Sequence, residues 1–109
     1  MRTVFVGLLS LHAVIHLMGF AKAFGYAELK SLTRPIPKPL GLAWLSACLL
    51  LLASASGLAF QASWWAPLCV VSLAVSQAVL FSAWTDAKYG TVANVLILAL
   101  WLVRGRLML

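Results

Sequence analysis

Residues 4–24 read VFVGLLSLHAVIHLMGFAKAF. A helix needs ~20 predominantly apolar residues to cross the hydrocarbon core of a bilayer, and this stretch supplies them. Only a helix or a closed barrel satisfies its own backbone there, so the segment reads as a membrane helix. It carries two histidines, His12 and His16, in its middle. Spaced at i, i+4, they stand one turn apart and project to the same side. Gly19 and Ala23 continue that side, and small residues let a neighbouring helix approach closely. The face therefore points into a bundle. An ionisable side chain at bilayer depth is costly and marks function by default.

The rest of the chain has the same character. Its 109 residues are 64% hydrophobic and 9% charged, with a mean hydropathy of +1.05. A soluble domain of this length cannot hide so much apolar surface, so lipid is its solvent. Further apolar segments follow, giving spans at 4–24, 40–60, 66–84 and 91–109 within one domain over 1–109. The expected fold class is all-α, an integral membrane, antiparallel four-helix bundle, with no room for a separate soluble catalytic domain. The fourth span is the weakest. Its uncharged stretch, 91–103, is ~20 Å long, short of the ~30 Å core. Either Arg104 and Arg106 snorkel outward from a helix reaching Leu109, or the turn before it dips into the membrane. Arg2, the apolar run behind it and Ala21-Lys22-Ala23 mimic a secretory signal, but the central histidines make a poor signal core and argue against cleavage.

Aromatic placement supports this register. Trp64, Trp65 and Trp101 fall at the membrane face where the chain starts. Tyr26, Trp44, Trp84 and Tyr89 fall near the opposite face, at the headgroup level that indole and phenol rings prefer. The connections at 61–65 and 85–90 are short, so they join antiparallel neighbours. The connection at 25–39 is longer and ends in Pro35-Ile36-Pro37-Lys38-Pro39, which favours a stiff extended strand. Before it, residues 27–32 suit a short interfacial helical turn with Leu29 and Leu32 toward lipid.

The net charge of +6 is not a nucleic-acid footprint, because the basic residues lie at the ends of apolar runs where they anchor helices to headgroups. Lys22, Lys30, Arg34, Lys38 and Lys88 outnumber Arg2, Arg104 and Arg106, so the positive-inside rule places the long connection in the cytoplasm. The expected location is the bacterial cytoplasmic (inner) membrane, multi-pass. Cys48 and Cys69 lie at different depths and show no metal or redox spacing, so a disulfide between them is not expected.

Chemistry has few places to reside. An i, i+4 histidine pair is a partial site for zinc, copper or iron. No third histidine exists, and the only acids are Glu28 and Asp86. Two imidazoles on one helix face cannot bracket one haem iron, although two protomers could share a haem. Three readings stay open for His12 and His16: a structural one, in which they hydrogen-bond to hydroxyls, carbonyls or Gln77; proton or quinone handling; and metal or haem ligation. A second cluster runs from Trp84 to Asn94. Asp86 is expected beside Lys22 and Lys88 as an interfacial ion pair, Gly90 permits a left-handed turn, and Thr91 can cap the last helix. In the functional version, Lys22, Asp86, Lys88 and Asn94 line the mouth of a cavity leading to His16, ~9 Å deeper than Lys22. Gln77 lies at the depth of the histidines and needs a partner. Ser72 and Ser76, like Ala43, Ala47, Ala53 and Gly57, form small-xxx-small pairs that let helices touch.

The His16-x-x-Gly19-x-x-Lys22 pattern closing the first span, the entry Pro39-Leu40-Gly41 into the second and the run Asp86-Ala87-Lys88-Tyr89-Gly90-Thr91 resemble the DoxX-like group of small bacterial membrane proteins. That resemblance implies four short membrane helices, Lys22 at a cavity mouth and, by analogy with some members, a link to quinone-coupled oxidation of sulfur compounds. The chain departs from the group near the start of the second span, where Trp44-Leu45-Ser46 replaces an acidic residue often seen there. Three function classes follow. The favoured one is an accessory or interaction protein of a membrane complex, associating with itself or with larger partners in the lipid bilayer. The second is a quinone- or redox-linked subunit using His12, His16 and Lys22. The third is a small carrier or lipid-binding protein using the cations near the long connection. The favoured class needs no enzyme chemistry, and no complete catalytic constellation can be assembled from the side chains present.

Overall fold

The computed structural model describes residues 1–26 and 34–107. All secondary structure among them is helical: α1 (Arg2–Ala23), α2 (Lys38–Ala59), α3 (Trp65–Ser82), α4 (Trp84–Ala87) and α5 (Gly90–Leu102). Three of these, α1, α2 and α3, are long and apolar enough to cross a membrane. The molecule measures 41 × 21 × 19 Å. Its long axis matches a bilayer with its headgroups, ~40–45 Å.

The helix ends follow from local chemistry. Gly25, at φ +74°, closes α1. Its N–H donates to the Lys22 carbonyl and the Tyr26 N–H to the Ala21 carbonyl, the paired bonds of a Schellman motif. Gln61, at φ 59°, repeats the motif after α2, with bonds from Gln61 to Leu58 and from Ala62 to Gly57. The proline strand behaves as its residues dictate. Pro37 is extended (φ −59°, ψ 150°), and Pro39 then occupies the first turn of α2, where a missing N–H costs nothing.

Contacts at the two ends set the helix directions. At one end Phe5 meets Trp65 edge to face, with centroids 5.5 Å apart, and the Trp101 indole N–H donates to the Ala66 carbonyl at 2.8 Å. At the other end Gly41 packs on Ala23 and Phe24, and Gly90 on Leu80. Hence α1 and α3 both run opposite to α2, and α5 runs opposite to α3. The most extensive packing is α1 on α2, then α2 on α3, whereas α5 rests more lightly on α3 and α1.

The burial pattern is that of a chain in hydrocarbon. Leu11, Val14, Val71, Phe81 and Val95 are exposed, a run of outward apolar surface that water would not tolerate. The interior holds polar groups instead: His12, His16, Ser54, Ser72, Ser76 and Asn94 are all buried. Ser54 and Ser72 meet across α2 and α3 at 3.0 Å, and each also bonds back to its own helix. Apolar clusters lie on either side, one around Phe5, Leu51 and Cys69, the other around Trp44, Val79 and Leu80. Both cysteines are buried free thiols.

Several sequence expectations change. The third helix stops at Ser82 rather than 84, because Ala83 leaves helical geometry (φ −128°, ψ 39°) and turns the chain into α4. The expected span 91–109 becomes a helix of 13 residues ending at Leu102. Arg104 does not reach outward from a longer helix. Its Nη1 donates to the Trp101 carbonyl at 2.9 Å, and the guanidinium lies 3.9 Å from the indole centroid, so it satisfies a helix-terminal carbonyl. Gly90 adopts no left-handed turn; it opens α5, and a Cβ there would press into Leu80 at 2.9 Å. Trp44 and Trp65, near the starts of α2 and α3, turn their rings into the bundle, 3% and 6% exposed, rather than outward. The helical turn expected at 27–32 lies outside the described residues, as do Met108 and Leu109.

One contact governs how α1 meets α2. A Cβ at Gly19 would fall inside the Trp44 indole, whereas Gly7 has nothing within 4 Å. Overpacking of this kind costs about 1–3 kcal/mol. Gly19→Ala should therefore lower the unfolding midpoint in detergent titrations followed by circular dichroism. Gly7→Ala, on the open face of the same helix, should leave it unchanged or raise it slightly.

Candidate functional site

The buried histidines sit where α1, α3 and α5 converge. Their i, i+4 spacing stacks them on the inward face of α1, with ring centroids 4.5 Å apart and planes at 89°. Ser76 on α3 and Asn94 on α5 complete the junction. Small size qualifies Ser76 for the position: its Oγ lies 2.8 Å from His16 Nε2, 3.4 Å from His12 Nε2 and 3.1 Å from Asn94 Nδ2.

Directions of donation follow from the groups that can only accept or only donate. His16 Nδ1 lies 2.8 Å from the His12 carbonyl, so that nitrogen carries the proton and Nε2 is left as an acceptor. The Ser76 hydroxyl fills it. His12 Nε2 lies 2.7 Å from Asn94 Oδ1, so His12 is protonated at Nε2. Asn94 Nδ2 donates to Ser76 Oγ and, at 3.0 Å, to Gln77 Oε1. Gln77 Nε2 passes the chain on to Thr91 Oγ1 at 3.0 Å. Thr91 thus serves Gln77 rather than capping α5, whose N-cap has no side-chain bond. Polar groups in hydrocarbon have no water to fall back on, so a closed set of this kind is what the solvent demands.

A cavity of about 160 Å³ adjoins the junction. His12, His16, Trp44, Leu80, Asp86 and Gly90 contribute to its wall, and the exposed Ile15 and Tyr89 mark its opening between α1 and the α4–α5 turn. Trp44 packs 5.5 Å from His16, ring to ring. It is 3% exposed, and its Nε1–H has no hydrogen-bond partner among the described residues. A buried donor left unsatisfied costs about 1–3 kcal/mol.

The sequence-derived candidates separate into three groups. His12, His16, Gln77 and Asn94 share one hydrogen-bond network. Asp86 lies on the cavity wall and accepts the Arg34 backbone N–H at 3.0 Å, tying α4 to the start of the proline strand. Lys22 is half-buried and Lys88 exposed, and neither is among the residues that line the cavity. The Lys88 ammonium sits 5.4 Å from the Tyr89 ring centroid, a cation–π distance. For a metal, three of the four imidazole nitrogens are engaged with Asn94, the His12 carbonyl and Ser76. Among the described residues no group of three His, Cys, Asp or Glu side chains comes together.

Sequence reasoning missed the role of Ser76, which reads as a spacer, and of Trp44, which reads as an interfacial anchor. The available signal for Ser76 was register, since it lies beside Gln77 at the depth of the histidines. For Trp44 it was the glycine at position 19, which implies a large partner. No protein-family model, characterised protein or solved structure matches the chain.

The network makes a tautomer-specific claim. Solid-state nitrogen NMR should find His16 protonated at Nδ1 and His12 at Nε2, both neutral. Asn94→Leu strands the His12 N–H and the Gln77 carbonyl, at a cost on the order of 1–3 kcal/mol. It should lower the thermal midpoint in detergent and abolish the fixed tautomer of His12.

Proposed function

We propose that the chain is a four-helix, multi-pass protein of the bacterial cytoplasmic membrane that serves as an accessory or interaction subunit of a larger membrane complex. The observation that carries this reading is the closed polar network. The intramembrane side chains that suggest chemistry are occupied in fastening α1, α3 and α5 to one another. A quinone- or redox-linked role through His12, His16 and Lys22 draws less support, because most imidazole nitrogens already have partners and Lys22 stands off the cavity wall. The layout, with a long connection after the first helix, is what supports placing the chain near the DoxX-like group.

The outer surface supplies the rest of the reading. A groove of about 470 Å³ runs between α3 and α5, its surface almost wholly apolar and contributed by side chains such as Val70, Phe81, Val95 and Leu98. Membrane helices associate through packing and interhelical hydrogen bonds rather than through a hydrophobic drive. An apolar groove alongside the lightly packed α5 offers a partner helix a recess to pack into. A helix of a partner protein is the occupant proposed.

Photocrosslinking in native membranes tests this. A photoreactive residue at Val95 or Leu98 should yield a protein adduct larger than the monomer, while one at Val14, on exposed α1 surface, should yield lipid adducts only. Lipid adducts alone from the groove sites would remove the interaction reading.

A further inference from the structure

One imidazole nitrogen stands outside the network that joins α1, α3 and α5. His12 Nε2, His16 Nδ1 and His16 Nε2 are held by Asn94, the His12 carbonyl and Ser76, whereas His12 Nδ1 has no partner among the described residues. With the proton fixed on Nε2, Nδ1 is a lone-pair acceptor. Among the described residues, the buried polar side-chain atom that lacks both a partner and accessible surface is Trp44 Nε1. His12 Nδ1 therefore keeps surface of its own, although His12 as a whole is 3% exposed. The spaces that His12 walls lie along the seam between α1 and the α4–α5 segment. One is the cavity of about 160 Å³, and the other a recess of about 70 Å³ beside Leu11 and Leu96.

Size, wall and depth narrow the occupant. A cavity of roughly 150 Å³ holds a benzene-sized ring, so the larger space takes one and the smaller does not. The wall is apolar and aromatic, with Met18, Trp44, Leu80 and Tyr89 in it, and aromatic rings favour aromatic guests in offset or edge-to-face contact. At the inner end the unused group is an acceptor, His12 Nδ1, because the Trp44 N–H is fully enclosed. A guest with acceptors alone, such as a ketone or ester, gains no bond there; a hydroxyl does. His12 lies ten residues after Arg2, the first residue of α1, hence ~15 Å along it, near the middle of the ~30 Å core. A lipid tethered by its headgroup does not bring a hydroxyl to that depth. A small uncharged ring does, and the mouth at Ile15 and Tyr89, 46% and 77% exposed, lies where α5 rests lightly on α1.

We propose that the larger cavity binds a small, uncharged aromatic alcohol of phenol size, whose hydroxyl donates to His12 Nδ1. The site is distinct from the α3–α5 groove and stands whether or not the groove holds a partner helix.

The full chain in detergent, labelled with nitrogen-15 at histidine, is offered phenol or toluene, a ring of like size with a methyl group in place of the hydroxyl. Phenol should move the His12 Nδ1 resonance upfield, as acceptance of a hydrogen bond does, while toluene leaves it in place. The His16 Nε2 resonance, already bonded to Ser76, should stay where it is with both. With partition into protein-free micelles subtracted, phenol should bind roughly 3- to 10-fold more tightly than toluene, the worth of one net hydrogen bond. Ile15→Trp fills the mouth from its exposed side and should abolish the phenol-induced shift while keeping the helical circular dichroism signal. The shift itself is read on the native chain, so the answer does not depend on the folding of that variant. A His12 Nδ1 resonance that stays unmoved at saturating phenol overturns the proposal. So does equal binding of the two rings, or an undiminished shift in a folded Ile15→Trp chain.

Discussion

Hydrocarbon offers no hydrogen bonds, and the Ser76 hydroxyl is where this chain meets that constraint. Donors and acceptors from α1, α3 and α5 converge on one oxygen, and each finds a neighbour whose role is fixed by its own chemistry. A backbone carbonyl can only accept, which sets His16; an amide oxygen can only accept, which sets His12. The proton positions of both imidazoles are thereby decided by groups that do not titrate. The position of α5 depends on this arrangement most of all, since its packing on α3 and α1 is comparatively light and Asn94 and Ile97 are its buried residues.

The contacts of α2 with its neighbours are built on shape. Gly19 leaves room for the Trp44 indole, Gly41 for Ala23, and Gly57 for Trp64 and Trp65. Each pairs an absent side chain with a bulky one or with a close approach of two backbones. In lipid such complementarity carries much of the association energy, because moving a leucine from acyl chains to a protein interior changes little. His16 stands between the two modes, bonded to Ser76 on one side and stacked near Trp44 on the other. Polar matching and steric matching therefore meet at one residue.

The sequence made the helices legible because hydropathy needs no knowledge of neighbours. The inward direction of the histidines was legible for the same reason, as it follows from i, i+4 spacing and the small residues beyond. Gln77 was readable as a group in need of a partner, but not the identity of that partner, since Thr91 and Asn94 arrive from a helix whose register depends on where α3 ends. That end was not readable. The break at Ala83 involves neither proline nor glycine, so no local residue announces it. Trp44 shows a different limit. Its depth was visible but its facing was not, because an indole suits a headgroup belt and a bundle interior equally well by composition. Only the contact with Gly19 distinguishes them.

The brevity of α5 has a mechanical consequence. Its 13 residues rise ~20 Å, whereas a helix of 22 residues such as α1 rises ~33 Å. The protein thus presents a tall apolar wall on one flank and a low one on the other. Bilayers accommodate a low wall by thinning beside it, at a cost that grows with each ångström of mismatch. A bilayer around a body of this shape would thin into a one-sided dimple, and any two bodies with matching low flanks would relieve that deformation by bringing them together. Membrane elasticity would then orient such proteins toward one another before any side chains touch.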